Sequence, residues 1–270
     1  MVKSAQSHRK KFAIIDGKSI FYRGYYAMPN LSTKDGTPTG GVFGFATMAL
    51  ELIKKLNPDY VCVAWDKPKT NIRKRLEMYP DYKAGRKPAP PDFYEQIPVL
   101  HELLDAFGWP LYELDDYEAD DVMATFSVRE KGPIRVVTGD RDLFQLVDDA
   151  RDVKVVYLAR GISQHDLVDT KWVADKYGIP GDRYALFAMF RGDPSDGLPG
   201  VKGIGEKGAA LIANNFATVE EAIAGARAGH EALSKSLAQK IIDGSEYLEI
   251  APTLVHCAKD VAIPKMDITM

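Results

Sequence analysis

Five short apolar runs, set apart by longer stretches with helical spacing, constrain this chain more than any other feature. The runs are Phe12–Ile15, Tyr60–Trp65, Leu111–Leu114, Ile134–Thr138 and Val153–Leu158. Runs this short, rich in Val and Ile, suit strands buried on both faces. The stretches between them suit helices. Gly41 to Leu56 carries apolar residues at helical spacing and stops at Asn57-Pro58, and Ala119 to Lys131 is closed by Gly132-Pro133. Strands alternating with helices predict an α/β fold: a mostly parallel sheet covered by helices on both faces. The pattern leaves strand order open.

Two segments break the alternation. Residues 67–108 are too long for a simple crossover. They are basic, contain Tyr79, Tyr82, Phe93 and Tyr94, and are predicted to carry helices of their own. Beyond about residue 180 the strand pattern ends and the chain reads as helical and Gly-rich. The expected organisation is a basic N-terminal extension over 1–11, an α/β core over 12–180 that includes the long connection, a helical unit over 181–258, and a tail over 259–270.

Composition narrows the class further. The chain has 270 residues, 46% hydrophobic and 27% charged, which is globular usage with length enough for a sizeable core. Two cysteines, Cys62 and Cys257, give no disulfide framework, and Cys62 in its Val-Cys-Val run is expected to be buried. No apolar run approaches the roughly 20 residues of a membrane-spanning helix. Met1 to Lys11 is polar and basic, unlike a secretory signal, so the cytoplasm is the expected compartment. The net charge of −3 hides a segregation. Residues 67–91 hold eight Lys/Arg against Glu77 and Asp81, whereas residues 113–121 hold six acids and no base. Such a pair of blocks suits a polyanion held beside carboxylates, with cations between them.

The acids sit where a parallel sheet would gather them. Asp16 follows the first run and Asp66 the second. Glu118, Asp120 and Asp121 open a helix after the third, and Asp140 and Asp142 follow the fourth. Ligands of open parallel sheets bind outside the carboxyl ends of the strands, so these side chains should meet in one crevice. Asp193 and Asp196, in Arg191–Gly197, could approach from the helical unit. Taken singly, each acid has an ordinary structural use. Acids in a first helical turn cap it and favour its dipole, and Asp16-Gly17 could be only a turn. Taken together they repel, and hard divalent cations such as Mg²⁺ or Mn²⁺ would relieve the repulsion. The five histidines (8, 101, 165, 230 and 256) are scattered and offer no zinc spacing. Two hard ions side by side would activate water and stabilise a leaving oxygen, which points to metal-dependent phosphodiester hydrolysis.

Two further segments suit a phosphate backbone. Gly200–Ala209 fits a helix–hairpin–helix turn, in which Gly203 and Gly205 let backbone N–H groups approach a phosphate. Lys202 and Lys207 add charge that is blind to base sequence. The G-x-G-x-x-G spacing here is not a dinucleotide fingerprint, because no strand precedes it. In Tyr82-Lys83-Ala-Gly-Arg86, the two cations can bind and polarise a phosphate, and Tyr82 can stack on an unpaired base.

Six blocks then occur in order: Asp16-Gly17, Trp65-Asp66, Tyr79-Pro-Asp-Tyr-Lys-Ala-Gly-Arg86, Tyr117-Glu-Ala-Asp-Asp121, Thr138-Gly-Asp-Arg-Asp-Leu143 and Gly192-Asp-Pro-Ser-Asp-Gly-Leu-Pro-Gly-Val201. In this combination, over about residues 12–250, the chain resembles the bacterial 5′-nuclease family: flap endonucleases and the N-terminal 5′–3′ exonuclease domain of DNA polymerase I. The resemblance implies a PIN-like core, a helical arch at about 67–108 and a C-terminal helix–three-turn–helix unit. It implies cleavage of 5′ flaps and 5′ ends of branched or nicked DNA and RNA–DNA hybrids, in primer removal and repair. Carried over by position, Asp16, Asp66, Glu118, Asp120 and Asp140 would surround a first metal, and Asp142, Asp193 and Asp196 a second, with Asp121 supporting either. Lys83 and Arg86 would contact the scissile phosphate, and Arg73 looks like the arginine at the base of the arch. In this family the C-terminal turn can hold K⁺ on backbone carbonyls. The family is usually monomeric and works with a DNA polymerase in cis or in trans. Two other readings share parts of this pattern: a PIN-type ribonuclease and a non-catalytic branched-DNA-binding module.

Overall fold

The computed structural model describes residues 9–159 and 165–264. Most of the expected N-terminal extension, with His8, and the end of the expected tail lie outside the described residues.

Strand β1 (Phe12–Asp16) is buried along its whole length, as a central parallel strand must be. It pairs in parallel with β2 (Tyr60–Ala64) on one side. On the other side it pairs in parallel with β4 (Ile134–Thr138). Strand β3 (Leu111–Tyr112), shorter than its apolar run suggested, lies beyond β2, and β5 (Val153–Tyr157) lies beyond β4, both parallel. An edge strand absent from the sequence reading, β6 (Asp166–Val168), runs antiparallel to β5. The order is β3-β2-β1-β4-β5-β6. The chain therefore reverses its direction of travel across the sheet between β1 and β4, and the crevice above their carboxyl ends is where such sheets bind ligands.

Two apolar layers follow from the alternation of side chains along the strands. Phe12, Ile14, Val136 and Val155 face one layer, and Ile15, Val63, Val137 and Val156 face the other. The second layer is covered by α1 (Gly17–Ala27), α2 (Gly40–Leu56) and α5 (Ile97–Phe107). Helices α1 and α2 meet at Gly24 and Gly44, where a Cβ on Gly24 would lie 2.8 Å from the Phe45 nitrogen. The long connection carries α3 (Arg73–Met78) and α4 (Pro91–Glu95) before α5. Of its three helices, α5 joins this layer through Leu100 and Leu104 and α4 through Phe93.

The first layer is covered by α6 (Ala119–Arg129) and then, without a break in the core, by the helical segment. That segment follows α7 (Thr170–Tyr177) and comprises α8 (Tyr184–Arg191), α9 (Glu206–Asn215), α10 (Val219–Ala228), α11 (Lys235–Asp243) and α12 (Ser245–Val255). Helix α8 is apolar almost all round and is buried from Tyr184 to Phe190. A third, small apolar cluster (Tyr82, Leu198 and Leu254, with Leu76 and Tyr79 against it) roots the connection on α12. Cys62 and Cys257 are both buried and unpaired. Among the described residues, no helix is long and apolar enough to cross a membrane.

Candidate active site

The strand ends deliver the acids as the spacing predicted. Asp16 ends β1 and caps α1, accepting from the Ser19 N–H at 3.0 Å and from the Thr138 hydroxyl at 2.7 Å. Asp66 lies just past β2 and accepts from the Ala119 N–H at 2.9 Å, which ties it to the start of α6. Glu118 is the residue before α6, and Asp120 lies in its first turn. Asp140 follows β4; its N–H donates to the Thr138 hydroxyl and its Oδ1 accepts from the Asp142 N–H, both at 2.9 Å. From the helical side, Asp193 accepts from the Ser195 N–H at 2.8 Å and its hydroxyl at 2.7 Å.

Asp16, Asp66, Glu118, Asp120, Asp140 and Asp193 together line a cavity of about 420 Å³. Lys18, Arg23, Lys83, Arg86 and Arg141 line it too. Asp142 and Asp196 are neighbours of this cavity rather than part of its wall. Asp142 is held beside Asp140, and Asp196 pairs with Arg86 and with Lys83 at 3.5 Å.

Crowding of like charge sets the electrostatics. Burial pushes the Asp16 carboxyl up to about 6, with Asp66 and Asp140 adding to the rise. Burial also drives Asp120 well above the carboxylate range, reinforced by Asp140, Asp16 and Glu118. Asp140 is raised by burial and by the Asp196 charge, and Asp142 is raised strongly by burial and by Asp140, Asp193 and Asp196. Asp66 goes the other way: burial opposes ionisation, but the ammonium groups of Lys18 and Lys83 and the Ala119 N–H outweigh it.

A hard divalent cation suits this donor set, which is all oxygen, and Asp142 keeps a buried Oδ1 with no hydrogen-bond partner. Among the described residues, no three Asp, Glu, His or Cys side chains yet meet at metal-ligand spacing. Lys83 of the connection pairs with two of the acids, Glu118 and Asp196.

Several expected roles change in the structure. Asp121 does not face the cavity. Arg75 grips both its oxygens at 2.8 Å, and it also accepts from the Glu118 and Ala258 N–H groups. Successive residues of a helix point about 100° apart, and Asp121 is turned toward Arg75 while Asp120 faces the cavity. Tyr82 offers no stacking face: it is 4% exposed, and its hydroxyl donates to Glu118 at 2.8 Å. Arg73 lies at the surface, paired with Asp116 at 2.7 Å, whereas Arg75 of the same helix lies 3.1 Å from Glu118 Oε2 behind the cavity wall. Lys202, Gly203 and Gly205 are exposed on the turn before α9 and Lys207 is exposed in its first turn, all apart from the acidic cavity. Beside them, Lys240 of α11 donates to the Gly203 carbonyl at 2.9 Å. Sequence reasoning missed α1 and with it Lys18, Ser19, Tyr22 and Arg23 in the cavity wall. The signal was there: Ile20, Phe21, Gly24 and Tyr25 repeat at helical spacing behind an Asp cap.

A carboxylate-lined crevice at the switch point of a mostly parallel sheet, with lysine and arginine side chains in its wall, suits metal-dependent cleavage of a phosphate backbone. The comparisons make this specific. The family model described as 5′–3′ exonuclease, N-terminal resolvase-like domain, matches residues 11–178. The one described as 5′–3′ exonuclease, C-terminal SAM fold, matches residues 179–269. The chain belongs to the 5′–3′ exonuclease family. It is 39% identical to a 5′–3′ exonuclease of Streptomyces coelicolor, over 93% of this chain and 87% of that protein. It is 36% identical to a 5′–3′ exonuclease of Mycobacterium tuberculosis, over 94% and 86%. DNA polymerase I of Geobacillus stearothermophilus is 39% identical over 80% of this chain, which spans 24% of that longer protein. The fold is that of the T5 5′-exonuclease solved with divalent zinc, at a TM-score of 0.73 and 20% identity over 92% of this chain and 90% of that one. The bacteriophage T5 flap endonuclease in complex with DNA and metal ions gives 0.72 and 20%, over 92% and 90%.

Proposed function

We propose that this 5′–3′ exonuclease also cuts 5′ flaps, and acts on branched or nicked DNA and on RNA–DNA hybrids during primer removal and repair. The observation that carries the reading is that six carboxylates, from five separate stretches of the chain, line one cavity with Lys83 and Arg86. Asp16, Asp66, Glu118, Asp120 and Asp140 would hold one divalent cation, Mg²⁺ or Mn²⁺, and Asp142, Asp193 and Asp196 a second. Bound there, such ions supply an ionised water at neutral pH and charge stabilisation at the leaving oxygen. The chain's own groups do the rest. Lys83 and Arg86, on the segment over the cavity, bind the phosphate and offset its developing charge. Thr138 and the Ser19 and Ala119 N–H groups fix the directions of Asp16 and Asp66.

The division of labour follows the chain. Residues 12–180 cut, and residues 181–258 hold duplex through Lys202, Lys207 and the amides of Gly203 and Gly205. K⁺ on the turn is part of this reading, in competition with the Lys240 ammonium already on the Gly203 carbonyl. The protein works as a cytoplasmic monomer, alongside a DNA polymerase in cis or in trans. Asp140→Asn is the test, using a 5′-flap substrate with Mg²⁺ or Mn²⁺. Cleavage should fall by roughly 100-fold or more. Undiminished cutting would remove the metal assignment, and flap binding without any cutting by the wild type would favour a binding module.

A further inference from the structure

Glu118 is buried, and both its carboxylate oxygens are engaged, by two different kinds of partner. Oε2 accepts from the Tyr82 hydroxyl at 2.8 Å and lies 3.1 Å from Arg75 Nη1. Oε1 pairs with the Lys83 ammonium. Arg75 and Tyr82 do not line the cavity, whereas Lys83 does. Arg75 is itself fixed, by its two bonds to Asp121 and by a longer one to the His256 carbonyl at 3.4 Å. Tyr82 is fixed by packing on Leu198 and Leu254. Lys83 is held differently. Its backbone has a φ of 58°, in the left-handed region unusual for a residue with a side chain, and its N–H donates to the Asp196 carbonyl at 2.8 Å. Beneath it Gly197, at φ 72°, lets the Asp81 carbonyl come within 2.7 Å of where a Cβ would stand. The surrounding chain thus imposes this conformation and aims the ammonium at Glu118.

We propose that Arg75 and Tyr82 are positioning residues, holding Glu118 by Oε2 so that Oε1 faces the cavity, and that Lys83 is an internal counter-cation there which a divalent ion replaces. The proposal rests on the nuclease reading of the cavity. Charge supports it. Six carboxylates face five cations across the cavity wall, but only three once Lys83 and Arg86 withdraw, so these two residues offset part of the carboxylate charge when no ion is bound. An ammonium and a divalent ion on one carboxylate oxygen repel each other, so the exchange frees Lys83 to meet a phosphate. Arg75 and Tyr82 need not move, because their oxygen is the other one.

Calorimetry with Mn²⁺ alone, without DNA, tests this on the full chain. Tyr82→Phe and Arg75→Lys should each weaken Mn²⁺ binding by about 10-fold or more, as losses of groups that orient a ligand do. Lys83→Met should tighten it several-fold while losing cleavage. That opposite sign is one a general loss of folding cannot produce. Amide hydrogen exchange over residues 79–86 should rise when Mn²⁺ binds the wild type. Raised Mg²⁺ should restore cleavage in Tyr82→Phe but not in Lys83→Met. If wild type binds Mn²⁺ and Tyr82→Phe binds it equally well, the positioning role is wrong. Unchanged affinity in Lys83→Met removes the counter-cation role. Absence of Mn²⁺ binding by the wild type overturns the nuclease reading and this inference with it. Should Arg75→Lys not fold, Tyr82→Phe, which loses one hydroxyl, still decides the matter.

Discussion

Asp120 and Asp121 are adjacent, carry the same side chain, and are held in opposite surroundings. Asp121 is buried and fully paired by the Arg75 fork. Asp120 faces a cavity whose other carboxylates repel it. Their amide variants should therefore move stability in opposite directions. Asp121→Asn leaves Arg75 with Glu118 as its remaining carboxylate partner, so it should be destabilising, by less than the roughly 3–5 kcal/mol of a fully broken buried pair. Asp120→Asn removes one charge from a repulsive set and should raise the melting temperature of the metal-free protein. Thermal melts in chelator compare the two, and equal losses would show that Asp120 is paired as Asp121 is. A second residue gives a pH signature. Burial, and the hydrogen bond and charge of Asp92, raise the Tyr25 hydroxyl to about 12 from an ordinary 10. Between those values the unfolded chain has released the proton and the folded chain keeps it. Stability from this group is thus complete below pH 10 and is lost as pH rises through about 12. Tyr25→Phe should flatten that alkaline decline in urea titrations, at a cost of about 1 kcal/mol at neutral pH for the missing bond to Asp92.

Elements were legible where one signal dominated. The strands could be read because buried parallel strands are continuous apolar runs, and α6 because acids open it and Gly-Pro closes it. The acids of the cavity could be read because strand ends share one edge of the sheet. Helix α1 was hidden by its own function: Asp16-Gly17 looks like a turn, and Gly24 weakens the helical signal where α2 must pass close by. Strand β6 is three residues long and mostly exposed, too little for any periodicity. Arg75 could not be told from Arg73, because which of them is buried depends on how α3 docks, a tertiary fact. The Gly24 contact can be tested directly. Alanine there gains up to about 1 kcal/mol in helix preference, but its Cβ would meet the α2 backbone at under 3 Å. Overpacking of this kind costs about 1–3 kcal/mol, so Gly24→Ala should be destabilising in chemical denaturation. A stabilised variant would mean that α1 and α2 can separate freely.

At the scale of the molecule, a chain of net charge −3 must bind a polyanion, and it can do so only by keeping its charges apart. The cavity is walled by six carboxylates, which repel phosphate until cations intervene. Lys202 on the turn before α9 and Lys207 in the first turn of that helix are both exposed, with Lys240 behind the Gly203 carbonyl. Duplex should therefore be held first at the turn, away from the chemistry, and the acidic cavity should contribute little to affinity on its own. Removing both Lys202 and Lys207 by alanine tests this separation. Each lost phosphate contact lowers the slope of log affinity against log salt by about 0.9, so the double variant should lose about 1.8 from the slope. The loss should be the same for every base sequence, because these contacts read only the backbone. Mn²⁺ affinity without DNA should stay at the wild-type value, since neither lysine lines the cavity. Filter binding across a salt series, with calorimetry beside it, gives both numbers. An unchanged slope would move the duplex site off the turn, and a change in Mn²⁺ affinity would show that the helical segment and the acidic cavity do not act independently.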